Sequence, residues 1–238
     1  MFKRALPVMA LCLISASGCA TMNTLDSGWA MGRFSAAVKE FAGKAVFQDA
    51  LVFGRHDKKV QPPKPLAGRI MDGFQELPMR RLVLKNTGIV FWGFEYQDAS
   101  IQSLVIVNRN DHVKLVAAVT LFPSVGTGVL SGSQDIDYKT RTLKSGQISV
   151  FVRNWADLAR YLPVIKSWAY ANLLGFNVDC YQSAEWERAC RAATGFRLPL
   201  RAYDLRDAVM GKKKLVNLYP LSIPKGVAPS VPLGAFRQ

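Results

Sequence analysis

Hydrophobic positions in the middle of the chain follow the pattern of short β-strands separated by turns. The first four runs are joined by links of a few residues, and such short links require antiparallel neighbours. The second of them is apolar on both faces, which is typical of a covered strand at the centre of a sheet. The pattern predicts a mainly antiparallel sheet of about five strands, at 81–85, 88–97, 101–107, 113–122 and 147–152.

Helical periodicity flanks this region on both sides. Apolar residues recur at helical spacing from 28 to about 51, which predicts an N-terminal amphipathic helix. After the last strand, Asn154 is a good N-cap and Gly175 a C-terminal stop for a second helix, which Pro163 is expected to kink or divide. Shorter helices are predicted at about 184–193 and 202–210. Together these elements predict the α+β class: a sheet with N-terminal and C-terminal packing helices.

The first nineteen residues have the layout of a secretory signal. Lys3 and Arg4 precede an apolar stretch at 5–14, which is followed by small residues. The apolar stretch is too short for a membrane-spanning helix, which needs about 20 residues. A buried N-terminal helix is the alternative, and it is disfavoured because the small-residue run ends in Cys19 and then becomes polar.

The segment 16–19 (ASGC) resembles the lipobox of bacterial lipoproteins, and the resemblance covers residues 1–21 only. It implies removal of residues 1–18 and acylation of Cys19 by chains such as palmitate. Ala20 implies sorting to the outer membrane, with the protein facing the periplasm. An ordinary cleaved signal peptide is the alternative. No apolar stretch of 18 residues follows, so no spanning helix is predicted.

The chain therefore divides into four predicted parts. A signal peptide (1–18) is followed by a tether (19–27) and by a single α+β domain (28–215). A chain of 238 residues is long enough for one domain of this size. The segment 55–65 is expected to be a loop because it is rich in proline. The C-terminal part (216–238) carries four prolines and predicts an extended, mobile basic arm.

The cysteines predict one disulfide. Cys12 leaves with the signal and Cys19 is consumed by the lipid, so Cys180 and Cys190 remain in an oxidising compartment. In one continuous helix these two would lie about 15 Å apart and could not bond. Ser183 is a helix N-cap, which allows Cys180 to fold back. A metal site or a catalytic thiol is the alternative, but two histidines in the whole chain offer few further ligands, and no metal is predicted.

Catalytic motifs are weak. The Gly-rich run 126–133 lacks the lysine of a phosphate loop. Neither His56 nor His112 accompanies a nucleophile motif, so no catalytic residue and no cofactor are predicted. The alternative is a periplasmic hydrolase whose site lies at the sheet edge near Glu95 or in the loop 123–137. Glu95 is the acid that we would examine for a raised pKa.

Charge changes the picture more than any motif. The chain carries a formal charge of +14, and from residue 188 onward ten Lys and Arg face two Asp. Such a skew favours contact with anionic surfaces: lipid headgroups, lipopolysaccharide phosphates or an acidic protein. Nucleic acid is not expected unless the protein belongs to a DNA-transfer system. The predicted anionic-partner residues are Arg197, Arg201, Arg206, Lys212, Lys213 and Lys214.

These observations favour a non-enzymatic lipoprotein of the outer membrane over the hydrolase. It is expected to bind an anionic envelope component or to serve in an envelope assembly, such as a secretion or conjugation machine. A third interpretation is a purely structural subunit whose basic arm docks on a neighbouring protein.

Overall fold

The computed structural model describes the chain from residue 31 to residue 236 with gaps. The predicted signal peptide, the predicted tether and Cys19 lie outside the described residues. These are 31–48, 50–53, 57–60, 63–76, 79–85, 87–120, 136–137, 139–143, 146–176, 184–206, 208, 219–223 and 231–236.

The helices and strands alternate unevenly along the chain. The α-helices are α1 (Met31–Ala42), α2 (Leu66–Asp72), α3 (Trp155–Leu173) and α4 (Ala184–Thr194). A 3-10 helix spans Leu233–Phe236. The strands are β1 (Val46–Phe47), β2 (Ala50–Phe53), β3 (Asp57–Val60), β4 (Lys64–Pro65), β5 (Arg80–Leu84), β6 (Gly88–Glu95), β7 (Asp98–Val107), β8 (Val113–Thr120), β9 (Ile136–Asp137), β10 (Thr142–Leu143), β11 (Gln147–Val152), β12 (Leu200–Asp204) and β13 (Tyr219–Leu221).

A seven-stranded sheet of order β13-β12-β11-β8-β7-β6-β5 forms the middle of the molecule. The five predicted strands are present as β5 to β8 and β11, and all of these pair antiparallel. β12 pairs parallel to β11 after the crossover through α3 and α4. The α+β class and the mainly antiparallel sheet are confirmed, and the sheet is wider than the five predicted strands.

β6 is covered on both faces, as its apolar pattern predicts, but it is not the central strand. It lies one strand in from the β5 edge, whereas β8 occupies the centre of the order. Phe91, Trp92 and Phe94 are all buried, because α1 and α2 pack on one face of the sheet and α3 packs on the other. Burial of both faces of β6 therefore shows that helices cover the sheet on both sides there, and it does not show that β6 is the central strand.

The two faces of the sheet belong to separate cores. The α3 face carries Trp92, Leu104 and Val150 against Trp168 of α3. The α1/α2 face carries an aromatic cluster in which the ring of Phe34 meets Phe74 and Phe91 at 4.9 and 5.3 Å between ring centroids, each edge to face. Because side chains alternate along a strand, neighbours such as Phe91 and Trp92 enter different cores.

α3 begins and ends close to where the sequence predicts. The Asn154 side chain accepts a hydrogen bond from the Ala156 N–H at 2.9 Å, which caps the helix. The helix ends at Leu173, just before Gly175, which has a φ of 68°. Pro163 lies inside the helix and does not divide it.

The N-terminal region differs from the prediction. α1 ends at Ala42 instead of continuing to about residue 51, because Gly43 takes the left-handed conformation that ends helices. Its φ is +59°, and a Cβ there would lie 2.0 Å from the Ala208 carbonyl oxygen. The predicted loop at 55–65 contains strand β3, which pairs with β2, and α2 follows it.

The C-terminal region also differs from the prediction. A strand, β12, stands where the helix at 202–210 was expected, because pairing with β11 fixes an extended backbone there. The prediction of a mobile C-terminal arm is wrong for the described residues. β13 pairs with β12, and Phe236 is fully buried with its ring 5.1 Å from that of Trp92. The domain therefore continues past residue 215.

Candidate functional site

The predicted basic residues fall on both ends of β12. Arg197, Arg201 and Arg206 are exposed. Arg197 and Arg206 are separated by the whole of β12, a five-residue strand about 17 Å long. Lys212, Lys213 and Lys214 lie outside the described residues. The described arginines therefore do not form one cluster.

Arg206 is engaged by a neighbouring carboxylate. Its Nε and Nη2 lie 2.5 Å from Oδ2 of Asp204, and its backbone N–H donates to Oδ1 at 2.9 Å. Burial acts to raise the pKa of Asp204, but the side-chain and backbone hydrogen bonds from Arg206, with its charge, outweigh burial and lower that pKa from its ordinary value of 3.8. Arg206 is thus partly neutralised.

Arg197 lies beside an arginine that the sequence did not single out. Its backbone N–H donates to the carbonyl oxygen of Arg141 at 2.9 Å. The Arg141 side chain passes over Gly195, where a Cβ would lie 2.6 Å from Nη1. Arg201 follows Arg197 by four residues, at most about 14 Å of extended chain. We call the exposed residues Arg141, Arg197 and Arg201 the basic surface.

The arginines of the basic surface differ from two nearby arginines in their ion pairs. In α4, Arg191 forms an ion pair with Glu187, and Arg206 pairs with Asp204. Arg141, Arg197 and Arg201 form no ion pair with any described carboxylate. Their charges are therefore available to a partner.

The predicted disulfide is described at one end only. Cys190 lies in α4 with 8% of its surface exposed, within the core of the α3 face. Cys180 lies outside the described residues, so its bond to Cys190 stays a prediction.

The catalytic candidates are not brought together. Glu95 ends β6, whereas His112 follows the turn between β7 and β8 at the other end of the sheet. β7 spans that interval with ten residues, about 33 Å. His56 and most of the loop 123–137, including the Gly-rich run, lie outside the described residues.

A cavity of about 450 Å³ opens beside His112. Three separate segments build it: α1, the turn between β7 and β8, and the residue that follows β11. Its lining residues are Ala37, Glu40, Phe41, Asp111, His112, Val113 and Arg153. No sequence pattern indicates this assembly, because the three segments are far apart along the chain.

Arg153 fixes the floor of the cavity. Its Nε donates to the Phe41 carbonyl oxygen at 2.9 Å, and its Nη2 donates to the carbonyl oxygens of Ala208 at 2.7 Å and Glu40 at 3.4 Å. The guanidinium thus caps the C-terminal end of α1, where carbonyl groups lack helical partners and a cation is favoured. It also joins α1 to the segment after β12.

The opposite wall is a tight turn. The Asn108 side chain accepts from the N–H groups of Asn110 and His112, and Asp111 takes a φ of 60°. The Asp111 carboxylate is held by Arg33 of α1 at 2.8 Å. Arg153 and this turn are therefore both joined to α1.

Sequence reasoning also missed a buried arginine on the α1/α2 face. Arg69 in α2 is 2% exposed, and its Nη2 donates to the Val119 carbonyl oxygen at 2.8 Å. Its Nη1 lies 3.4 Å from the Ser103 hydroxyl. The one sequence signal is an arginine among the apolar residues Leu66 and Ile70, which is a weak one.

The described residues contain no group of three or more His, Cys, Asp and Glu side chains placed to hold a metal ion. They also contain no helix long and apolar enough to cross a membrane.

Comparison with protein-family models, with curated proteins and with solved structures finds no match to this chain.

Proposed function

We propose that this protein is a lipoprotein anchored to the outer membrane through Cys19, and that its periplasm-facing domain binds an anionic component of the cell envelope without catalysis. The component is a phosphate-bearing lipid or an acidic partner in an envelope assembly. The anchor rests on the lipobox resemblance at 16–19. The binding role rests on the basic surface.

One observation carries the binding role. Arg141, Arg197 and Arg201 are exposed and form no ion pair with a described carboxylate, although two neighbouring arginines do. Arginine presents a planar set of donors that matches phosphate and carboxylate oxygens. Arg141 lies in the turn after β9, Arg197 in the segment that enters β12, and Arg201 in β12 itself. Three such groups suit an anion-rich surface.

The hydrolase alternative gains no such support. It placed the site near Glu95, and the histidine that lines a cavity, His112, lies at the opposite end of β7. No observation in the described residues favours it over the binding role.

The anchor is tested by blocking the signal peptidase of lipoproteins with globomycin and, separately, by Cys19→Ala. Either treatment should change the electrophoretic mobility of the protein, because the signal peptide is no longer removed before Cys19, and should prevent its transfer to the outer membrane. If neither does so, the lipid anchor is wrong.

Mass spectrometry of alkylated protein from the periplasm tests the disulfide: a free thiol at both Cys180 and Cys190 contradicts it.

The binding role is tested with lipopolysaccharide and, as a probe without sugar or acyl chains, inorganic polyphosphate. The purified full chain in neutral detergent is titrated with each. Changing Arg141, Arg197 and Arg201 together to Gln should weaken binding by about tenfold, since each exposed ion pair contributes up to ~1 kcal/mol. Changing Lys39, Lys85 and Arg160, which are exposed elsewhere, removes the same charge and is the matched control.

The outcomes separate the sources of binding. Equal weakening in both triple variants indicates net charge alone and contradicts the basic surface. Retention of a partner at about 0.5 M salt, where the Debye length is roughly 4 Å, contradicts an electrostatic contact. Changing Lys212, Lys213 and Lys214 to Gln measures what the predicted lysines add.

A further inference from the structure

The cavity between α1 and the turn after β7 carries groups that the proposed function does not use. Its volume of about 450 Å³ lies within the range of small-molecule sites, about 300–1,000 Å³. Such sites combine an apolar lining with a few convergent polar groups. Here Ala37, Phe41 and Val113 supply the apolar part.

Arg153 offers a fixed donor on one side of the cavity. Its Nε and Nη2 are bound to main-chain carbonyl oxygens, which hold the guanidinium in place. Its Nη1 has no hydrogen-bond partner among the described residues. A guanidinium held in this way is pre-organised to donate to a carboxylate.

Glu40 and His112 offer complementary groups. The Glu40 side chain is exposed and forms no ion pair with a described residue, and the His112 imidazole makes no hydrogen bond to one. Asp111, by contrast, is already held by Arg33. The available groups in the cavity are therefore one cation, one anion and one imidazole.

We propose that this cavity binds an amphoteric small molecule that carries an ammonium group and a carboxylate on a short carbon frame, of which a free α-amino acid is the simplest. The ligand carboxylate accepts from Nη1 of Arg153, and its ammonium donates to the Glu40 carboxylate and to His112. A short aliphatic side chain lies against Phe41 and Val113. The proposal is independent of the basic surface.

The charges of the cavity argue against simpler ligands. Glu40 repels a plain anion, and Arg153 repels a plain cation, so a ligand with one charge meets one favourable and one unfavourable group. An amphoteric ligand satisfies both. The structure thus supplies attraction and exclusion in the same site.

The experiment is an NMR titration of the purified full chain in neutral detergent with three probes. These are L-alanine, propionate, which lacks the ammonium, and ethylamine, which lacks the carboxylate. L-Alanine should bind at least ~10-fold more tightly than either, because each probe loses one charged hydrogen bond of about 1.5–3 kcal/mol. Signals of the His112 ring should shift with L-alanine.

Matched variants locate the binding. Glu40→Gln should weaken L-alanine binding by about tenfold, and Glu76→Gln, an exposed glutamate outside the cavity, should leave it unchanged. His112→Gln, at a second exposed position of the cavity, should also weaken L-alanine binding. Arg153→Lys is informative only if circular dichroism shows the native fold, since Arg153 also caps α1.

Each contrary outcome overturns the proposal. Failure of L-alanine to bind does so, and so does propionate binding as tightly as L-alanine, which indicates a plain anion site. Equal loss in Glu40→Gln and Glu76→Gln shows that the ligand binds elsewhere. Because none of these variants touches the basic surface, polyphosphate binding should be the same in all of them.

Discussion

The two faces of the sheet are joined to their helices by different polar contacts across largely apolar cores. The α3 face is a wide apolar core in which Trp92 and Trp168 are fully buried, and their indole N–H groups find no acceptor among the described residues. The α1/α2 face also has an aromatic cluster, but two arginines reach across it to main-chain carbonyl oxygens. Arg69 reaches Val119, and Arg153 reaches Phe41 and Ala208.

The two faces therefore differ in the groups that supply their directional contacts. On the α3 face the buried side-chain amides of Gln102 in β7 and Asn172 in α3 donate to each other at 3.2 and 2.7 Å, so the directional contact there joins two side chains. Hydrogen bonds from an arginine to carbonyl oxygens are directional and leave a costly unpaired acceptor if they break. The cavity lies on the side of the sheet where such bonds hold α1, so its geometry is set by directional contacts.

The largest expected effect tests the α3 face. Trp168→Ala should lower the free energy of unfolding by about 3–5 kcal/mol, because it removes a fully buried indole from a close-packed core. Trp168→Phe should cost much less, since it also removes a buried N–H without an acceptor. Urea denaturation measures both. Trp155→Ala, at a side chain 46% exposed, is the control and should have little effect.

A smaller effect tests the α1/α2 face. Arg69→Met keeps most of the volume but removes the donors to Val119 and Ser103, so it should cost about 1–3 kcal/mol. Arg160→Met, at an exposed position of α3, is the control. If the two variants unfold at the same urea concentration, the hydrogen bonds of Arg69 do not stabilise the α1/α2 face.

The next effect depends on pH at the end of β12. The pKa of Asp204 is lowered in the folded protein, so its contribution is fully present above its ordinary value of 3.8 and is lost as the pH falls through the lower folded value. Asp204→Asn should cost about 1 kcal/mol or less at pH 7. Urea denaturation at several pH values should show the difference shrinking below 3.8. A difference that is constant with pH contradicts the pairing with Arg206.

The smallest effect concerns the wall of the cavity. Arg33→Gln removes the ion pair with Asp111. The side chains of Arg33 and Asp111 are 58% and 40% exposed, so the variant should lower the free energy of unfolding by about 0.2–1 kcal/mol. High salt should reduce that cost because exposed pairs are screened. Denaturation with and without added salt measures it, and a cost above that of Arg69→Met would mean that the wall is held more firmly than the buried face.

Elements that are fixed by local pattern could be predicted from the sequence. β7 and β8 are runs of branched residues between turns, and α3 has a side-chain cap at Asn154. α2 has only seven residues and begins after Pro65, too short for periodicity to show. β12 is fixed by its pairing with β11, a long-range contact that its own five residues do not encode.

The candidate sites were predictable to a lesser degree. The charge skew identified Arg197 and Arg201 but not Arg141, whose proximity depends on a main-chain hydrogen bond between distant segments. The cavity was missed because Arg153 acts through carbonyl oxygens, which every residue carries and no sequence pattern marks. His112 was identified only as a weak catalytic candidate.

The burial of Phe236 against Trp92 has a consequence for synthesis. The α3 face is complete only when residues 233–236 are available, since the 3-10 helix that contains Phe236 packs on α3. While the chain is still emerging, Trp92 and its neighbours stay uncovered, and such surfaces promote aggregation and proteolysis. A product that stops short of residue 231 should therefore be degraded rather than accumulate.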